Sequence, residues 1–587
     1  MNVQTNLYFK DDFSLGPGFK TNLTVSLTSD SITYESNSTK TSQKIKLEDI
    51  IGATARQLHT GNDIESAYIH IYSYPLKKRV LSTTAKRQRL EHVFAVSGKD
   101  SSVANLEIAE KWVRCIKWLL VKNSDINLAT TREDNPPRQQ FLIFINPFGG
   151  KGSAMNLFKK KVKPMLEEAD VQYELIVTEH MGHAKEIVQN MKDFKKFDCI
   201  VCCSGDGIIN EVINGLMSRP DWQEAIKTPF GHIPCGSGNG LCASSLYHSG
   251  EPFDMISSIF TVLRGEEWPL DIVKVQSPEV HYSFLCIVFG IVSDVDIESE
   301  KYRKVGDIRF SVMALKKIIE KRTFSGKLSY LPVENGDCVN GASSTCSSRG
   351  DETVELSDGT SKCKEHGSEE QRNLEDGKLE DNNLKDGNLG DGILNDGTLD
   401  KSKSEQPSSD EISNLKGEKL DNGGKLDHGN ASNGILGSVN LASGIPNKFM
   451  PNFHEPIPES WNVIEDDFVG WVFVSTTHIG KSMFCAPEGS LGDGIIHCMC
   501  LNGDMSRSDL INTLGKMERG EHASVNGVYM LKARAFRIEP FSATSEIITI
   551  DGEVFNWSKL QAEVYGGLGR VRCCRPAEST NRNSDEQ

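Results

Sequence analysis

The stretch DCIVCCSGDGIINEVINGL at residues 198–216 decides the fold class. A run of apolar and sulfur-containing residues predicts a buried β-strand, and apolar residues at helical spacing after Gly207 predict a helix. Asp206 stands between two glycines, where that helix begins. Helix N-termini attract anions, and glycine lets the backbone come close to a ligand. The stretch therefore predicts either an aspartate that meets a phosphate or a metal, or a tight strand-to-helix turn with an N-cap.

The same succession of strand, loop and helix recurs on both sides of this stretch. Residues 131–139 form a polar linker that contains proline, and apolar strands alternate with helices between residues 140 and 275. This order predicts a parallel sheet with helices on its faces. Two more glycine-rich loops, at 146–153 and 236–239, follow apolar strands, and such loops line the edge of a parallel sheet where ligands bind. The three loops together predict a cradle for nucleotide phosphates.

Strand-like segments dominate the chain on either side of this α/β region. Residues 1–130 alternate in strand fashion and end in an amphipathic helix that carries Trp112, a pattern that resembles the pleckstrin-homology fold. A small β-rich extension that binds no ligand is the alternative. Residues 276–333 and 451–572 are also strand-rich, and they predict a β-rich domain that binds the substrate or a lipid.

The formal net charge of −16 is unevenly distributed along the chain. Residues 334–450 contain 23 acidic and 12 basic residues and almost no aromatic ones, which predicts an acidic, low-complexity, disordered insertion. The tail at 573–587 is also predicted to be disordered. The rest of the chain is close to neutral, which argues against a nucleic-acid partner, because nucleic-acid binding needs a basic face.

Cysteine usage and the length of the apolar runs predict a cytoplasmic protein. Several of the 15 cysteines lie in apolar, strand-like segments, as the buried reduced thiols of intracellular proteins do. The N-terminus lacks the apolar region of a signal peptide, and the longest apolar run, 284–292, is too short to span a bilayer. We therefore expect a cytoplasmic chain that associates with endomembranes or the plasma membrane only at their surface.

Six motifs, in the order of the family, resemble the diacylglycerol-kinase-type lipid kinases, and within that superfamily the sphingosine (long-chain-base) kinases. They are INPFGGKG, VTEHMGHA, CSGDGIINEVINGLMSRPDW, IPCGSGNGL, SDVDIESEKYRKVGDIRF and IDGEVF. The resemblance covers about 140–333 and 461–557. It implies an α/β nucleotide-binding domain followed by an antiparallel β-sandwich-like domain, as in the diacylglycerol and NAD kinases. It also implies phosphorylation of the primary hydroxyl of a sphingoid base by ATP, with Mg²⁺ carried by the nucleotide and its protein ligands unassigned.

The resemblance implies a role for particular residues. Asp206 matches the general base, which takes the proton of the lipid hydroxyl as that hydroxyl attacks the γ-phosphate. Ser204, Gly205 and Gly207 match substrate-binding positions, together with Asp206 and Asp296. Nucleotide contacts fall on Asn146, Pro147, Phe148, Gly149, Gly150, Thr178, Glu179, His180, Met181, Gly182, Glu211, Gly236, Ser237, Gly238, Arg303, Arg309, Asp551, Gly552 and Glu553. Phe148 departs from relatives that carry arginine, so only a backbone contact to phosphate is expected there.

Asp296 is the residue that distinguishes between lipid substrates. A sphingoid base carries a protonated amine that a carboxylate binds by a charge-assisted hydrogen bond, whereas ceramide and diacylglycerol carry no cation. The alternative is a solvated strand edge in which the carboxylates pair with Lys301 and Arg303. A ceramide kinase and a catalytically inactive membrane-binding scaffold remain the alternative functions. The expected partners are thus a sphingoid-base lipid and a membrane surface.

Overall fold

The computed structural model describes residues 7–15, 22–57, 66–78, 85–97, 101–121, 133–149, 152–236, 238–299, 301–302, 308–333, 445–541, 547–556 and 559–575. All structural statements concern these residues. The predicted disordered segment between 334 and 444 lies outside them, as do 576–587 of the predicted tail. Among the described residues, none of the helices is long and apolar enough to cross a membrane.

The N-terminal region folds into a seven-stranded antiparallel sheet followed by one helix. Its elements are β1 (Leu7–Leu15), β2 (Asn22–Thr28), β3 (Ser31–Ser36), β4 (Ser42–Lys46), β5 (Ile50–Gln57), β6 (Ala67–Ser73), the short hairpin β7 (Leu76–Lys78) and β8 (Ala85–Arg87), β9 (Leu90–Val96) and α1 (Ser102–Leu120). The strand order in the sheet is β4-β3-β2-β1-β9-β6-β5. The prediction of several strands followed by one amphipathic helix is therefore confirmed.

Helix α1 packs its apolar face against this sheet. Trp112 lies against Phe9 and Phe13, with ring centroids 5.4 and 5.1 Å away. The indole Nε1 of Trp112 donates a 2.8 Å hydrogen bond to Asp11 Oδ2 on β1. The buried tryptophan therefore has both an apolar contact and a polar partner, which is what a buried indole requires.

The N-terminal sheet shares a buried boundary with the α/β region. The Arg87 guanidinium pairs with Asp49 at 3.1 Å and donates to both carboxylate oxygens of Glu251. The hydroxyl of Tyr74 donates a 2.6 Å hydrogen bond to Glu168 Oε2. These ion pairs and hydrogen bonds are largely protected from solvent, so removing one partner would leave a buried polar group unpaired. The linker predicted at 131–139 does not keep the regions apart.

The α/β region contains β10 (Gln140–Ile145), α2 (Ala154–Leu157), a π-helical turn (Phe158–Val162), α3 (Lys163–Glu168), β11 (Gln172–Val177), α4 (His183–Asn190), β12 (Cys199–Ser204), α5 (Asp206–Met217), α6 (Trp222–Ala225), β13 (Phe230–Pro234), α7 (Gly240–His248) and α8 (Met255–Arg264). Strands β11-β10-β12-β13 are parallel neighbours in that order. The parallel sheet predicted from the sequence is confirmed. Its loops at 146–153, 204–207 and 236–239 therefore meet at one edge.

The strand-rich region contains β14 (Glu266–Ser277), β15 (Glu279–Ser283), β16 (Cys286–Gly290), α9 (Ile291–Ser299), α10 (Ile308–Glu320), β17 (Phe324–Pro332), β18 (Asn462–Val474), β19 (His478–Gly480), β20 (Met483–Phe484), β21 (Ile496–Asn502), α11 (Arg507–Met517), β22 (Val528–Pro540), β23 (Ile547–Ile550), β24 (Glu553–Asn556) and β25 (Leu560–Cys573). Strand β25 pairs in parallel with β13 and antiparallel with β14. The last strand thereby joins both regions into one fourteen-stranded sheet.

Three details of the sequence prediction are corrected by this structure. Residues 445–450 are ordered, because the buried Glu563 carboxylate accepts hydrogen bonds from the backbone N–H groups of Lys448, Phe449 and Met450. Strand β25 continues to the buried Cys573, so the tail does not begin there. The strand edge considered as the alternative for the carboxylates around Asp296 is wrong, because Ile291–Ser299 forms helix α9.

Candidate active site

The three glycine loops form one compact edge of the parallel sheet. A Cβ atom at Gly236 would lie 2.4 Å from the backbone nitrogen of Gly205, and a Cβ at Gly205 would lie 2.8 Å from the carbonyl oxygen of Gly238. The second and third loops therefore touch backbone to backbone, which requires glycine at these positions. A Cβ at Gly149 in the first loop would lie 3.6 Å from Ser204 Oγ. The loops that the sequence predicted to assemble are thus in contact.

Asp206 is the carboxylate at the centre of this edge. It begins α5 and is buried, and its Oδ2 and Oδ1 accept hydrogen bonds from the N–H groups of Gly240 at 2.7 Å and Leu241 at 3.2 Å. The carboxylate thus caps the N-terminus of α7, the helix after the third loop. An ionised carboxylate has about four lone-pair sites, and these two hydrogen bonds leave room for a substrate hydroxyl.

Burial raises the pKa of Asp206, while His232 and the N–H groups of Gly240 and Leu241 oppose that rise. A raised pKa makes the carboxylate a stronger base, as long as the working pH is above that pKa. His232 on β13 lies next to it, with Nδ1 3.5 Å from Asp206 Oδ1. The sequence does not mark His232 as a site residue, because FGHIP has the pattern of an ordinary buried strand.

The N–H groups of Phe148, Gly149 and Gly152 donate hydrogen bonds within the first loop. The Asn146 Oδ1 atom accepts a 2.9 Å hydrogen bond from the Phe148 N–H group, and the Phe148 side chain is 74% exposed. Pro147 is half-buried and Gly149 donates to the Asn146 carbonyl at 3.2 Å. Gly150 lies outside the described residues.

The segment 178–182 lies between β11 and α4. Thr178 is buried, and its N–H group donates to the Ile145 carbonyl at 2.9 Å, which ties it to the first loop. The Glu179 N–H group donates to His183 Nδ1, and the rings of His180 and His183 are stacked with centroids 4.7 Å apart. Gly182 has φ +85°, and Met181 is 81% exposed.

Glu211 connects this segment to the helix that Asp206 begins. Its Oε2 atom accepts a 3.1 Å hydrogen bond from the Ala184 N–H group in the first turn of α4. The carboxylate therefore lies at the positive end of a helix, where a negative charge is stabilised. Glu211 thus fixes α4 relative to α5.

Asp551 behaves differently from what the resemblance implies. Its Oδ1 accepts from Ser283 Oγ and the N–H groups of Leu285 and Cys286, and its Oδ2 accepts from Asn210 Nδ2 and the Phe284 N–H group. Burial raises its pKa, and these donors oppose the rise. Five donors fill the carboxylate, so Asp551 joins α5 to the β15–β16 turn and offers no lone pair to a nucleotide.

The residues after Asp551 do reach the edge of the parallel sheet that the three glycine loops form, called the glycine edge below. Gly552 has φ +85°, a left-handed conformation that favours glycine, and Asp551 itself has φ +50°. A Cβ at Gly207 would lie 3.5 Å from Glu553 Oε1. The late loop therefore returns to the glycine loops through Glu553.

Asp296 lies on a different face of α9 from its acidic neighbours. Asp294 and Glu298 both pair with Lys317 on α10, and they border a cavity of about 180 Å³ between the two helices. The Cys286 thiol has a raised pKa, owing to burial first and then to Asp551, Asp296 and Asp206, among other groups. Asp296 is therefore close enough to Cys286 to raise the pKa of its thiol.

Two arginines and the third glycine loop are the remaining predicted parts of the site. Arg309 is buried, and its guanidinium donates a 3.3 Å hydrogen bond to the Ser299 carbonyl at the end of α9. Gly238 lies beside Asp206, with 3.3 Å between a Cβ built there and Asp206 Oδ2. Arg303 and Ser237 lie outside the described residues.

The described part of the chain contains no cluster of three or more histidine, cysteine, aspartate or glutamate side chains that could hold a metal ion. Mg²⁺ in nucleotide sites keeps several waters and binds largely through the substrate's phosphates.

Comparison with known proteins agrees with this architecture. The diacylglycerol kinase catalytic domain matches residues 140–275, and the YegS C-terminal NAD kinase beta sandwich-like domain matches residues 467–571. Sphingosine kinase 2 of Homo sapiens is 30% identical over 579 residues, which cover 90% of this chain and 84% of that protein. The chain belongs to the sphingosine kinase family.

Other sphingosine kinases match this member of the family over different lengths. Sphingosine kinase 1 of Rattus norvegicus is 28% identical over 72% of this chain and 88% of its own length. Sphingosine kinase 1 of Arabidopsis thaliana is 44% identical over 33% of this chain and 40% of its own length. Among solved structures, a diacylglycerol kinase from Bacillus anthracis str. Sterne has a TM-score of 0.38 at 12% identity, covering 75% of this chain and 98% of that one.

Proposed function

We propose that this protein is a kinase that transfers the γ-phosphate of ATP to the primary hydroxyl of a sphingoid long-chain base. The observation that carries the proposal is the position of Asp206. Its buried carboxylate lies where the three glycine loops meet, in a chain of the sphingosine kinase family. ATP is the phosphate donor that a kinase domain implies.

The residues at the glycine edge have different roles in phosphoryl transfer. The loops at 146–153 and 236–239 hold the phosphates, because their glycines let the nucleotide approach closely. Asp206 orients the lipid hydroxyl and accepts its proton as the oxygen attacks the γ-phosphate. Such transfer depends mainly on positioning and on neutralising charge. Mg²⁺ would arrive with ATP and supply part of that neutralisation.

Asp296 is proposed to bind the protonated amine of the sphingoid base. It lies near Cys286, whose thiol pKa it helps to raise, and Asp294 and Glu298 lie on the face of α9 that pairs with Lys317. A carboxylate in this position favours a cationic lipid head group over the uncharged head groups of ceramide and diacylglycerol. No contact in the described residues favours ceramide as the substrate.

Helix α10 is proposed to bring the enzyme to a membrane surface from the cytoplasm. Val312, Leu315 and Ile319 are 62%, 51% and 62% exposed on this helix. Exposed apolar side chains at helical spacing, with lysines beside them, are typical of helices that lie in a membrane interface. Replacing all three by serine should reduce pelleting of the protein with anionic vesicles, and unchanged pelleting would contradict this role.

The N-terminal region is proposed to be pleckstrin-homology-like. Its seven antiparallel strands followed by α1 support this assignment. Its buried contacts with the α/β region, through Arg87 and Tyr74, indicate that it is a fixed part of the enzyme. The domain limits predicted at 140–275, 276–333 and 451–572 remain a proposal.

The experiment that tests the function is phosphate transfer from labelled Mg·ATP to four lipids in identical micelles. Wild type and Asp296→Asn should each be assayed with sphingosine, phytosphingosine, ceramide and diacylglycerol as substrates. We expect transfer to the two bases only, and a loss of that transfer in the variant. Transfer to ceramide or diacylglycerol that the variant retains would overturn the assigned substrate. No transfer to any lipid would favour the inactive scaffold.

A further inference from the structure

His232 is a buried histidine next to the carboxylate of Asp206. Its side chain is 1% exposed, and Nε2 lies 3.0 Å from the carbonyl oxygen of Ser204. A carbonyl oxygen can only accept a hydrogen bond, so Nε2 must carry the hydrogen. In the neutral ring, Nδ1 is then an acceptor with a lone pair. The contact with Ser204 thus fixes the tautomer of His232.

The Nδ1 atom of His232 has no hydrogen-bond partner among the described residues. It faces Asp206 Oδ1 at 3.5 Å, which is too long for a hydrogen bond. Two lone pairs that face each other repel, so this separation is expected when no proton lies between them. One proton on either atom would turn the repulsion into a charge-assisted hydrogen bond. The geometry therefore provides a place for one proton between the two side chains.

Other titratable groups around the pair do not replace His232 as a proton acceptor. The Cys242 thiol on α7 and the Cys286 thiol on β16 both have raised pKa values because they are buried, so they remain neutral. Asp254 is occupied in capping α8, where it accepts from the N–H groups of Ile256 and Ser257. Glu553 lies beside Gly207, with Oε1 3.5 Å from a Cβ built there.

We propose that His232 shares the proton that Asp206 takes from the lipid hydroxyl, and that it is a positioning residue for the base. The inference rests on the proposed function. The lipid O–H bond breaks and an O–H bond to Asp206 forms, while the lipid oxygen bonds to the γ-phosphorus and ADP leaves. The protonated Asp206 then donates to His232 Nδ1, or passes the proton to it. After the products leave, water takes the proton and both groups return to their starting state.

The pair has a direct consequence for the pH range of the enzyme. Asp206 must be ionised to act as a base, and once His232 has bound a proton at lower pH its imidazolium stabilises that ionised form. His232 therefore lowers the pKa of Asp206 against the effect of burial. Without His232, the pKa of Asp206 rises further, and activity should be lost at a higher pH as the solution is acidified.

The first test follows the His232 ring by NMR and needs no enzymatic activity. Full-length protein with ¹⁵N-labelled histidine is titrated as wild type and as Asp206→Asn, and the His232 signals are assigned by their absence in His232→Gln. We expect neutral His232 to carry its hydrogen on Nε2. We also expect it to gain its second proton at a pH about one unit higher in wild type than in Asp206→Asn, because the carboxylate favours the charged ring. Equal titration in both proteins, or a neutral ring protonated on Nδ1, would overturn the proposal.

The second test compares pH profiles of kcat/KM for sphingosine. His232→Gln keeps an N–H donor for Ser204 but cannot take up a proton, and His281→Gln is the matched control at a half-buried histidine that contacts Asn214. We expect the acidic limb of the kcat/KM profile to shift to a pH about one unit higher only in His232→Gln. At pH values below the limb, kcat/KM should therefore fall about tenfold. A uniform loss with an unmoved limb would mean a structural role and overturn the proposal. If wild type transfers no phosphate to any lipid, the proposed function fails and the NMR result decides on the shared proton.

Discussion

The loops that carry Asp206 and Asp551 contain the same kind of residue in opposite states. Both aspartates are buried, at 6% and 3% exposure, and burial raises the pKa of both. Asp551 accepts from five donors, whereas Asp206 accepts from two backbone N–H groups and faces the unpartnered Nδ1 of His232. A saturated carboxylate holds structure together, and one with open lone pairs can take a proton. The hydrogen-bond count separates two aspartates that both precede a glycine in their motifs.

The largest effect is expected from Asp206→Asn. The amide oxygen can still accept from the Gly240 N–H group, so the fold should persist, but the amide is not a base. We expect kcat for sphingosine to fall by about 10²–10⁴, with a melting temperature within a few degrees of wild type. Steady-state kinetics and circular dichroism measure both, and a kcat within threefold of wild type would rule out Asp206 as the base.

Gly207→Asp should have the next largest effect. The new carboxylate would stand beside Asp206 and near Glu553 Oε1, which lies 3.5 Å from a Cβ at this position. Added negative charge at a phosphate site costs about 4 kcal/mol at close range, so we expect kcat/KM for ATP to fall by about 10²–10³. Gly207→Asn is the neutral control of the same size. Equal losses in both variants would show that size, and not charge, causes the defect.

Asp551→Asn should affect stability more than turnover. An asparagine has one acceptor oxygen, and its NH₂ group would face N–H donors that now bind the carboxylate. Leaving buried donors unsatisfied costs about 1–3 kcal/mol each, so we expect a loss of about 2–4 kcal/mol in the free energy of unfolding. Denaturant titration measures this. Turnover per folded molecule should fall less than tenfold, and a larger fall without destabilisation would return Asp551 to the catalytic machinery.

Asp296→Asn should have the smallest effect, and it should be confined to the lipid substrate. Hydrogen bonds to charged groups contribute about 1.5–3 kcal/mol, so kcat/KM for sphingosine should fall by about 10–100-fold while KM for ATP is unchanged. Asp294→Asn, on the face of α9 that pairs with Lys317, is the matched control and should stay within threefold of wild type. Similar losses in both variants would mean that α9 is merely destabilised.

The sequence predicted those parts of the site that depend on local pattern. Apolar strands followed by glycines predicted the parallel sheet and the meeting of its loops, because the ends of parallel strands lie at one edge. The residues around Asp296 misled the prediction, because Asp294, Asp296 and Glu298 alternate in the sequence. In the helix, Asp294 and Glu298 are one turn apart and converge on Lys317.

Contacts between distant segments could not be predicted in this way. The donors to Asp551 come from residues 265 to 341 positions away, and no local pattern records such pairs. The same holds for Glu563, which binds residues 448–450 after the acidic segment, and for Arg87, which binds Glu251. The proximity of His232 to the site could not be predicted either, because it depends on the Asp206 oxygen that lies 3.5 Å from its ring.

The decisive measurement is the single-turnover rate of phosphate transfer from labelled Mg·ATP to sphingosine by wild type, Asp206→Asn and Asp551→Asn. Each protein should be present in excess and matched for folded concentration. We expect a rapid transfer in wild type, a rate lower by about 10²–10⁴ in Asp206→Asn with unchanged ATP affinity, and a rate within tenfold of wild type in Asp551→Asn. Rapid transfer by Asp206→Asn, or its loss in folded Asp551→Asn alone, would contradict the assignment of the base.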